Sequence, residues 1–156
     1  MAKDERKFPK AEIRAALRKA WTMSESYHAF ADSKKIKTFP LKKDGTPSKK
    51  PDVHYKCSSC GELNKLRLPV GKTLTKKNTY KVKYKNLTYF DHIIPVVDPK
   101  EGFKDWYTYW ERLYVSPEEW ETRLQVLCHI CHKDKTDEEK ALRAEHGTLR
   151  TARSVT

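Results

Sequence analysis

Hydrophobic residues near the N-terminus recur at helical spacing. Ile13, Ala16, Leu17, Ala20 and Trp21 follow an i, i+3, i+4, i+7, i+8 pattern, and basic residues occupy several of the positions between them. This periodicity predicts an amphipathic helix with an apolar side that packs on a core. Its basic side can lie along a phosphate backbone.

The segment that follows, residues 34–51, has no such periodicity. It contains seven lysines interrupted by three prolines and one glycine. Prolines remove backbone donors and break regular elements, and a run of like charges repels itself. We therefore expect a loop or a mobile arm here.

Residues 80–85 alternate strictly between lysine and an aromatic or aliphatic residue. Side chains in a strand point alternately to opposite faces, so this pattern predicts a half-buried strand. Its expected partner contains Leu63, Leu66, Leu68 and Val70, with a connection through residues 71–78.

A further set of residues at helical spacing predicts a helix whose mainly aromatic stripe is core: Phe103, Trp106, Tyr107, Trp110, Leu113 and Tyr114. The sequence 116–119, Ser-Pro-Glu-Glu, combines an N-cap residue, a proline at the first helical position and a capping-box glutamate, so a short helix should begin there. A second capping box, Thr136 with Glu139, predicts a terminal helix running toward Glu145.

The composition of the chain indicates that these elements belong to a basic domain with few core residues. The chain has 156 residues, of which 37% are hydrophobic and 35% charged, enough for one domain plus extensions. Its net charge is +12, and the first 90 residues carry +15 while the remainder carry −3. This asymmetry favours nucleic acid as the partner over a merely solvated basic surface.

The sequence also predicts where the protein works. Its apolar runs are far shorter than the roughly 20 residues that a bilayer span requires. The charged residues 1–7 lead into no apolar region of the kind that a secretory signal needs. We therefore expect a cytoplasmic protein without a membrane partner, where four cysteines indicate a metal sooner than disulfides.

Those cysteines form two Cys-x-x-Cys pairs, Cys57 with Cys60 and Cys128 with Cys131. Each pair can place two thiolates on one face of a tight turn, and two such turns make a tetrahedral four-sulfur site for Zn²⁺. Disulfides or a redox motif are the alternatives. A closed zinc site would be structural, and it would compensate for the lean core because zinc binding contributes folding free energy.

Three further residues lie next to these cysteines and have side chains suited to metal and proton chemistry. Asp91 and His92 end a predicted strand, and His132 directly follows the last cysteine. Asp91 and His132 can share one hard divalent ion while His92 accepts a proton from an attacking water. Ordinary roles are the alternatives: a loop cap for Asp91, a buried histidine for His92, and a partner behind the zinc ligands for His132.

Together these motifs resemble a known family. The set Cys-x-x-Cys, Asp-His-Ile-x-Pro-Val and Leu-Gln-Val-Leu-Cys-x-x-Cys-His-x-x-Lys-Thr is similar to the zinc-stapled HNH endonucleases, particularly small bacteriophage-encoded ones, over residues 57–146. The resemblance implies an α+β fold with a treble-clef-like ββα-metal core. It also implies that His92 is the general base, that Asp91 and His132 bind the catalytic ion, and that the four cysteines hold structural zinc.

The domain organisation implied by this resemblance has three parts. Residues 1–52 form a basic N-terminal helix and flexible arm, residues 53–148 the nuclease domain, and residues 149–156 a C-terminal tail. The catalytic ion would be Mg²⁺ or another divalent ion such as Mn²⁺ or Ni²⁺, and the products would carry a 5′-phosphate and a 3′-hydroxyl.

One position departs from the family pattern. The asparagine that usually precedes the Leu-Gln run, and that braces the loop of the base histidine, is replaced here by Arg123. Arginine donates hydrogen bonds and accepts none. Arg123 can therefore brace the loop differently, contact a phosphate, mark weakened catalysis, or be an ordinary surface arginine.

The sequence thus predicts a metal-dependent DNA endonuclease that uses one catalytic ion, in the bacterial host cytoplasm if it is phage-encoded. The main alternative is a non-catalytic, zinc-stabilised DNA-binding accessory protein in phage DNA packaging or regulation, with packaging proteins as partners. A zinc ribbon in an RNA–protein assembly is a third interpretation, but it leaves Asp91 and His92 without a role. The oligomeric state stays open.

Overall fold

Helices and short strands alternate along the chain in the computed structural model, which describes residues 11–147. The elements are α1 (Ala11–Thr22), α2 (Glu25–Ser33), β1 (Ile36–Thr38), β2 (Asp52–Lys56), β3 (Leu63–Asn64), β4 (Arg67–Leu74), β5 (Tyr80–Asn86), β6 (Thr88–His92), α3 (Trp106–Leu113), α4 (Trp120–Arg123), β7 (Leu124–Cys128) and α5 (His129–Glu145). A 3₁₀ turn, Pro117–Glu119, precedes α4. The protein is a mixed α+β protein, as predicted. The predicted tail, residues 149–156, and the first ten residues of the predicted N-terminal extension lie outside the described residues.

The described chain divides into two compact units. We call residues 11–32, 92–125 and 133–147 the helical unit, and residues 33–91 and 126–132 the strand unit. Each unit is built from segments that are distant in sequence, and each has its own buried residues.

The helical unit is held together by aromatic residues at the end of α1 and within α2 and α3. Trp21 is buried at the end of α1, and its ring meets those of Tyr27 and Tyr114 edge to face, each at 5.6 Å. Phe30 is buried and contacts the Trp120 ring at 5.8 Å. The predicted N-terminal helix is therefore confirmed, but its predicted apolar side is not core along its length. Trp21 in the last turn is buried, whereas Ile13, Ala16 and Ala20 are exposed.

Helix α3 is confirmed, but the residues that it buries differ from those predicted. Tyr109 and Leu113 are buried, whereas Tyr107 is 73% exposed. Residues 109 and 113 are one helical turn apart on one face, and Tyr107, Trp110 and Tyr114 follow a different face. Of the predicted stripe, only Leu113 is buried in this helix, and Tyr109, which the stripe left out, is the other buried residue.

The strand unit contains a three-stranded sheet in the order β1-β2-β3, with both pairs antiparallel. Strand β1 lies inside the segment that the sequence predicted to be a loop or mobile arm, so that prediction is wrong for residues 36–38. Ile36 pairs with His54 and Thr38 with Asp52. Ile36 and Thr38 are residues that strands favour, and pairing with β2 stabilises this short strand despite the lysines and prolines around it.

Strands β4 and β5 form the predicted hairpin, a separate two-stranded sheet. Its turn is tighter than expected: Thr75 and Thr79 close it, and Asn78 adopts a positive φ of 61°. Leu63 belongs to β3 and pairs with β2 instead. The prediction of a half-buried strand is wrong, because every residue of β4 and β5 is exposed.

Strands β6 and β7 form the third sheet, and α5 follows β7 directly. Helix α5 begins at His129, seven residues before the predicted capping box. Inside the helix Glu139 pairs with Lys135 at 3.0 Å and with Arg143 at 3.7 Å, so its carboxylate joins i,i+4 ion pairs rather than a cap. Similarly, the Ser116 hydroxyl binds the Glu119 carboxylate at 3.3 Å rather than a backbone N–H.

Within residues 11–147, no helix combines the length and the apolar character needed to cross a bilayer.

Candidate functional site

The four cysteines converge within the strand unit. Their Sγ atoms all lie within 4.8 Å of one another, and those of Cys60 and Cys128 are 3.8 Å apart. A disulfide requires about 2.05 Å, and all four cysteines are free. Tetrahedral Zn²⁺ with Zn–S bonds of about 2.3 Å separates its sulfurs by about 3.8 Å, so the cluster has the donor set and spacing to bind a structural metal such as zinc.

Local backbone structure positions this cysteine cluster. The Cys57 N–H donates to the Glu62 carbonyl at 2.9 Å, and the Gly61 N–H donates back to the Cys57 carbonyl at 3.0 Å. This tight turn needs Gly61, whose φ of 75° is strained for residues with a Cβ. The Ser58 N–H reaches the Val126 carbonyl at 2.8 Å, which ties the first cysteine pair to the strand carrying the second.

The thiols of the cluster differ in acidity. Burial disfavours the Cys57 thiolate, but hydrogen bonds from the backbone N–H groups of Cys60, Cys128 and Ser59 outweigh it and lower the pKa of Cys57 to about 6. The hydrogen bond between the Cys131 and Cys128 side chains raises the pKa of Cys131 to about 12. A metal that binds at neutral pH must therefore displace a proton from Cys131.

The strand unit also brings together Asp91 and His132. Asp91 lies near the end of β6, and His132 is in the first turn of α5, one residue after Cys131. The Asp91 Oδ1 and His132 Nε2 atoms are 4.0 Å apart, and both side chains are partly buried. The Tyr89 ring stacks on the His132 ring with centroids 4.0 Å apart and planes 6° apart, which fixes the imidazole.

His92 is the next residue after Asp91 and belongs to the helical unit. Its Nε2 is 2.6 Å from the Leu113 carbonyl at the end of α3, and its ring contacts Trp21. A carbonyl only accepts, so Nε2 carries the hydrogen in this contact and Nδ1 is the basic nitrogen of the neutral ring. The His92 carbonyl accepts a hydrogen bond from Lys135 Nζ at 2.7 Å, which holds the backbone at this position.

Arg123, the residue that departs from the family pattern, also binds the end of α3. Its Nη2 donates to the Glu111 and Arg112 carbonyls at 2.7 and 3.1 Å, and its Nη1 pairs with Glu119 at 2.8 Å. The next carbonyl, that of Leu113, accepts from His92. The Arg123 carbonyl in turn accepts from the Ile93 N–H at 2.9 Å. These bonds favour a brace over a surface arginine, because the guanidinium contacts the helix end to which the His92 ring is bonded.

We expect Arg123→Ala to lower the free energy of unfolding by about 1–3 kcal/mol, because it leaves helix-end carbonyls without their donor. Arg123→Lys should fall between wild type and alanine, since an ammonium cannot reproduce the planar fork of donors. Urea denaturation measures this. Lys133→Ala is the matched control, because it removes an exposed i,i+4 pair worth only about 0.3–0.5 kcal/mol. Equal losses for Arg123→Ala and Lys133→Ala would contradict the brace.

A groove of about 820 Å³ lies beside His92 within the helical unit. Its walls include the aromatic side chains of Tyr107 and Trp110 from α3 and of Tyr114, the residue after the helix. A space of this size fits a small ligand or a segment of a larger one. The aromatic spacing of the sequence predicts these three residues to be core, whereas in the structure Tyr107 and Tyr114 are exposed.

Some residues that position the candidate site were not predicted. Tyr89 lies two positions before Asp91 and therefore shares its strand face, a signal that was available in the sequence. The Leu113 carbonyl that binds His92 is a backbone group, and no residue type indicates it. Lys135 lies three residues beyond His132, and only the structure shows that it reaches the His92 carbonyl.

No protein-family model, curated protein or solved structure matches this chain. Its function is therefore inferred from its own motifs and from the geometry within each unit.

Proposed function

We propose that this protein is a metal-dependent endonuclease of the HNH type, which hydrolyses DNA phosphodiester bonds with one catalytic divalent ion. The observation that supports this most is the approach of Asp91 Oδ1 and His132 Nε2 to 4.0 Å beside the cysteine cluster. This distance is too long for a direct hydrogen bond. It lies within reach of a single ion bound at about 2.0–2.2 Å from each atom.

The donor set fits a catalytic ion better than a structural one. One carboxylate and one imidazole leave most coordination positions of a divalent ion to water and phosphate oxygens. When bound, Mg²⁺, Mn²⁺ or Ni²⁺ would neutralise the scissile phosphate and stabilise the leaving 3′ oxygen. The stacked Tyr89 ring restricts rotation of His132, so this ligand is oriented before any ion arrives.

His92 is the proton acceptor in this proposal. Its Nε2 is committed to the Leu113 carbonyl, so the lone pair of the neutral ring is on Nδ1, the nitrogen that would take the proton from the attacking water. Transfer of that proton leaves a hydroxide to attack phosphorus, the P–O3′ bond breaks, and the departing O3′ takes a proton from a solvent water molecule to become the 3′-hydroxyl. His92 then carries the proton as an imidazolium ion until solvent removes it.

The order of elements is compatible with a ββα-metal core. Strands β6 and β7 pair, and α5 follows β7 without a linker, so Asp91 and His92 come from the first strand and His132 from the helix. The segment 93–123, which contains α3 and α4, is then an insertion between the two strands. In this interpretation the four cysteines hold structural zinc at the base of the same helix.

The ion site can be tested by Mn²⁺ binding. Zinc-loaded wild type should bind one Mn²⁺ in addition to its zinc, followed by the loss of the free Mn²⁺ electron paramagnetic resonance signal. Asp91→Asn and His132→Ala should each weaken this binding tenfold or more, since roughly that loss is seen even for groups outside the coordination sphere. Asp134→Asn, an exposed change on α5, is the control.

Plasmid DNA incubated with Mg²⁺, Mn²⁺ or Ni²⁺ tests the activity itself. The proposal requires nicked or linear products whose ends carry a 5′-phosphate and a 3′-hydroxyl. A wild-type protein that binds duplex DNA and retains zinc, yet cleaves with none of the three ions, would instead be a DNA-binding accessory protein.

A further inference from the structure

The β4–β5 hairpin has two exposed faces. We call residues 67–86 the ribbon. Every residue of its two strands is exposed, including Tyr80 at 73% and Leu74 at 60%. A two-stranded hairpin with no packed face is marginally stable. This ribbon is therefore not a core element, and a binding partner outside the protein would explain its composition.

The charge of the ribbon has a single sign. No aspartate or glutamate occurs between Glu62 and Asp91 in the sequence. The ribbon itself carries seven cationic side chains: Arg67, Lys72, Lys76, Lys77, Lys81, Lys83 and Lys85. Seven positive charges without a carboxylate on one projecting element make it a strong local attractor for a polyanion.

Three of these charges lie in a row. Lys81, Lys83 and Lys85 alternate along β5, so their side chains leave the same face at intervals of about 6.8 Å. Their cross-strand partners are Thr73, Gly71 and Leu68, none of which can neutralise a lysine. No described carboxylate pairs with any of the three lysines. We call this the lysine face.

The opposite face of the ribbon differs in character. It carries Tyr80, Val82 and Tyr84, and the Arg67 guanidinium lies 4.5 Å above the Tyr84 ring. Lys72, the cross-strand partner of Val82, also lies on this face, so the face mixes aromatic and cationic side chains. The lysine face, by contrast, carries an unbroken row of three lysines along one strand. The alternation that suggested a half-buried strand thus separates two exposed faces.

We propose that the lysine face binds the phosphate backbone of duplex DNA, at a place separate from the hydrolytic residues. The choice of DNA as the partner rests on the proposed function. Duplex DNA presents one negative charge per about 1.7 Å of axis, so each lysine of the row meets a phosphate without a specific sequence. Neutralising three phosphates releases counterions and steepens the salt dependence of binding.

The test compares two triple variants of the full, zinc-loaded chain. Lys81, Lys83 and Lys85 are changed to serine in one variant. Lys100, Lys104 and Lys140, which are exposed and lie outside the ribbon, are changed to serine in the other. Both variants lose three positive charges. Binding to a 20-base-pair duplex is measured by fluorescence anisotropy across a salt series without added divalent ion.

For the ribbon variant we expect the slope of log K against log salt to become shallower by about 2.7, because each phosphate that is no longer neutralised lowers the slope by about 0.9. The slope of the control should stay within about 0.9 of the wild-type value. Changing the same three ribbon lysines to arginine should restore the slope. All these residues are exposed, so circular dichroism and zinc content should not change.

Equal slopes for the two serine variants would overturn the proposal, because the effect would then be one of net charge alone. So would a ribbon variant that keeps the wild-type slope but loses binding to anionic lipid vesicles. A failure of the proposed nuclease activity can be distinguished from a failure of this proposal. A wild-type protein that does not cleave DNA with any of the three ions, but shows the ribbon-dependent slope, would bind DNA through the ribbon without being an enzyme.

Discussion

In the proposed endonuclease reaction, His92→Ala is expected to lower the rate of DNA cleavage by about 10²–10⁴-fold, the range typical for loss of a general base. The Leu113 carbonyl fixes the imidazole through Nε2, so Nδ1 is the only basic atom that this ring can offer to a water molecule. Alanine removes that atom. Single-turnover cleavage of a labelled duplex with saturating enzyme measures the chemical step apart from binding.

Two controls make this result specific to proton transfer. His146→Ala removes an exposed histidine from the turn that follows α5 and should cleave at the wild-type rate. His92→Ala should also keep its zinc and its affinity for duplex DNA, since neither depends on an acceptor nitrogen. Unchanged cleavage by His92→Ala, with either wild-type or raised KM, would eliminate His92 as the base.

Elements with a local signal were the ones that sequence could predict. Helix α1 and the β4–β5 hairpin follow directly from periodicity, because repeats of 3.6 and 2.0 residues leave little ambiguity over six or more positions. The helix start predicted from the capping box at Thr136 is wrong, for a reason that the local sequence does not contain. Cys131 and His132 are already helical, so the helix was under way before the box, and Glu139 joined ion pairs along it.

Burial was harder to predict than element type. Alternation in residues 80–85 correctly indicated a strand, yet period 2 does not distinguish a face against a core from a face toward a partner. Likewise, the aromatic spacing predicted helix α3, but the predicted stripe included Tyr107, which is exposed, and left out Tyr109, which is buried. Both errors arise because periodicity shows which side chains share a face, but not whether that face contacts the core, solvent or a partner.

For the candidate site, residue spacing in the sequence predicts the metal-binding cysteines but not the hydrogen bonds that hold neighbouring side chains in place. Two Cys-x-x-Cys pairs permit few geometries, and the structure brings their sulfurs within 4.8 Å. The role of Arg123 could not be resolved from sequence, because the groups that it binds are backbone carbonyls of residues 111 and 112. Such acceptors exist at every helix end, and only the fold determines which arginine reaches them.

Removal of zinc is expected to unfold the strand unit while the helical unit keeps its core. The buried hydrophobic residues of the strand unit are few, and two of them are cysteines: Tyr55, Cys57, Val126, Leu127 and Cys128. Structural zinc contributes about 10–16 kcal/mol in zinc-finger peptides at pH 7, comparable to the whole stability of a domain, about 5–15 kcal/mol. The helical unit retains its larger buried set, Trp21, Phe30, Val96, Tyr109, Leu113, Val115 and Leu124.

The four tryptophans report on one unit alone, because Trp21, Trp106, Trp110 and Trp120 all belong to the helical unit. After chelation, or in Cys57→Ser, hydrogen exchange should accelerate across residues 33–91 while the tryptophan emission maximum stays in place. Ser58→Ala, which changes the same turn without removing a ligand, is the control and should behave as wild type.

The pKa values of the cysteine thiols determine how zinc affinity changes with pH. The pKa of Cys131 is raised to about 12, so its proton must leave when zinc binds at neutral pH, and affinity should increase as the pH rises. Below about pH 6 the Cys57 thiolate is also protonated, and the affinity should fall more steeply. A chelator-treated protein that contains no zinc by native mass spectrometry, yet keeps slow hydrogen exchange across residues 33–91, would show that the strand unit folds without zinc.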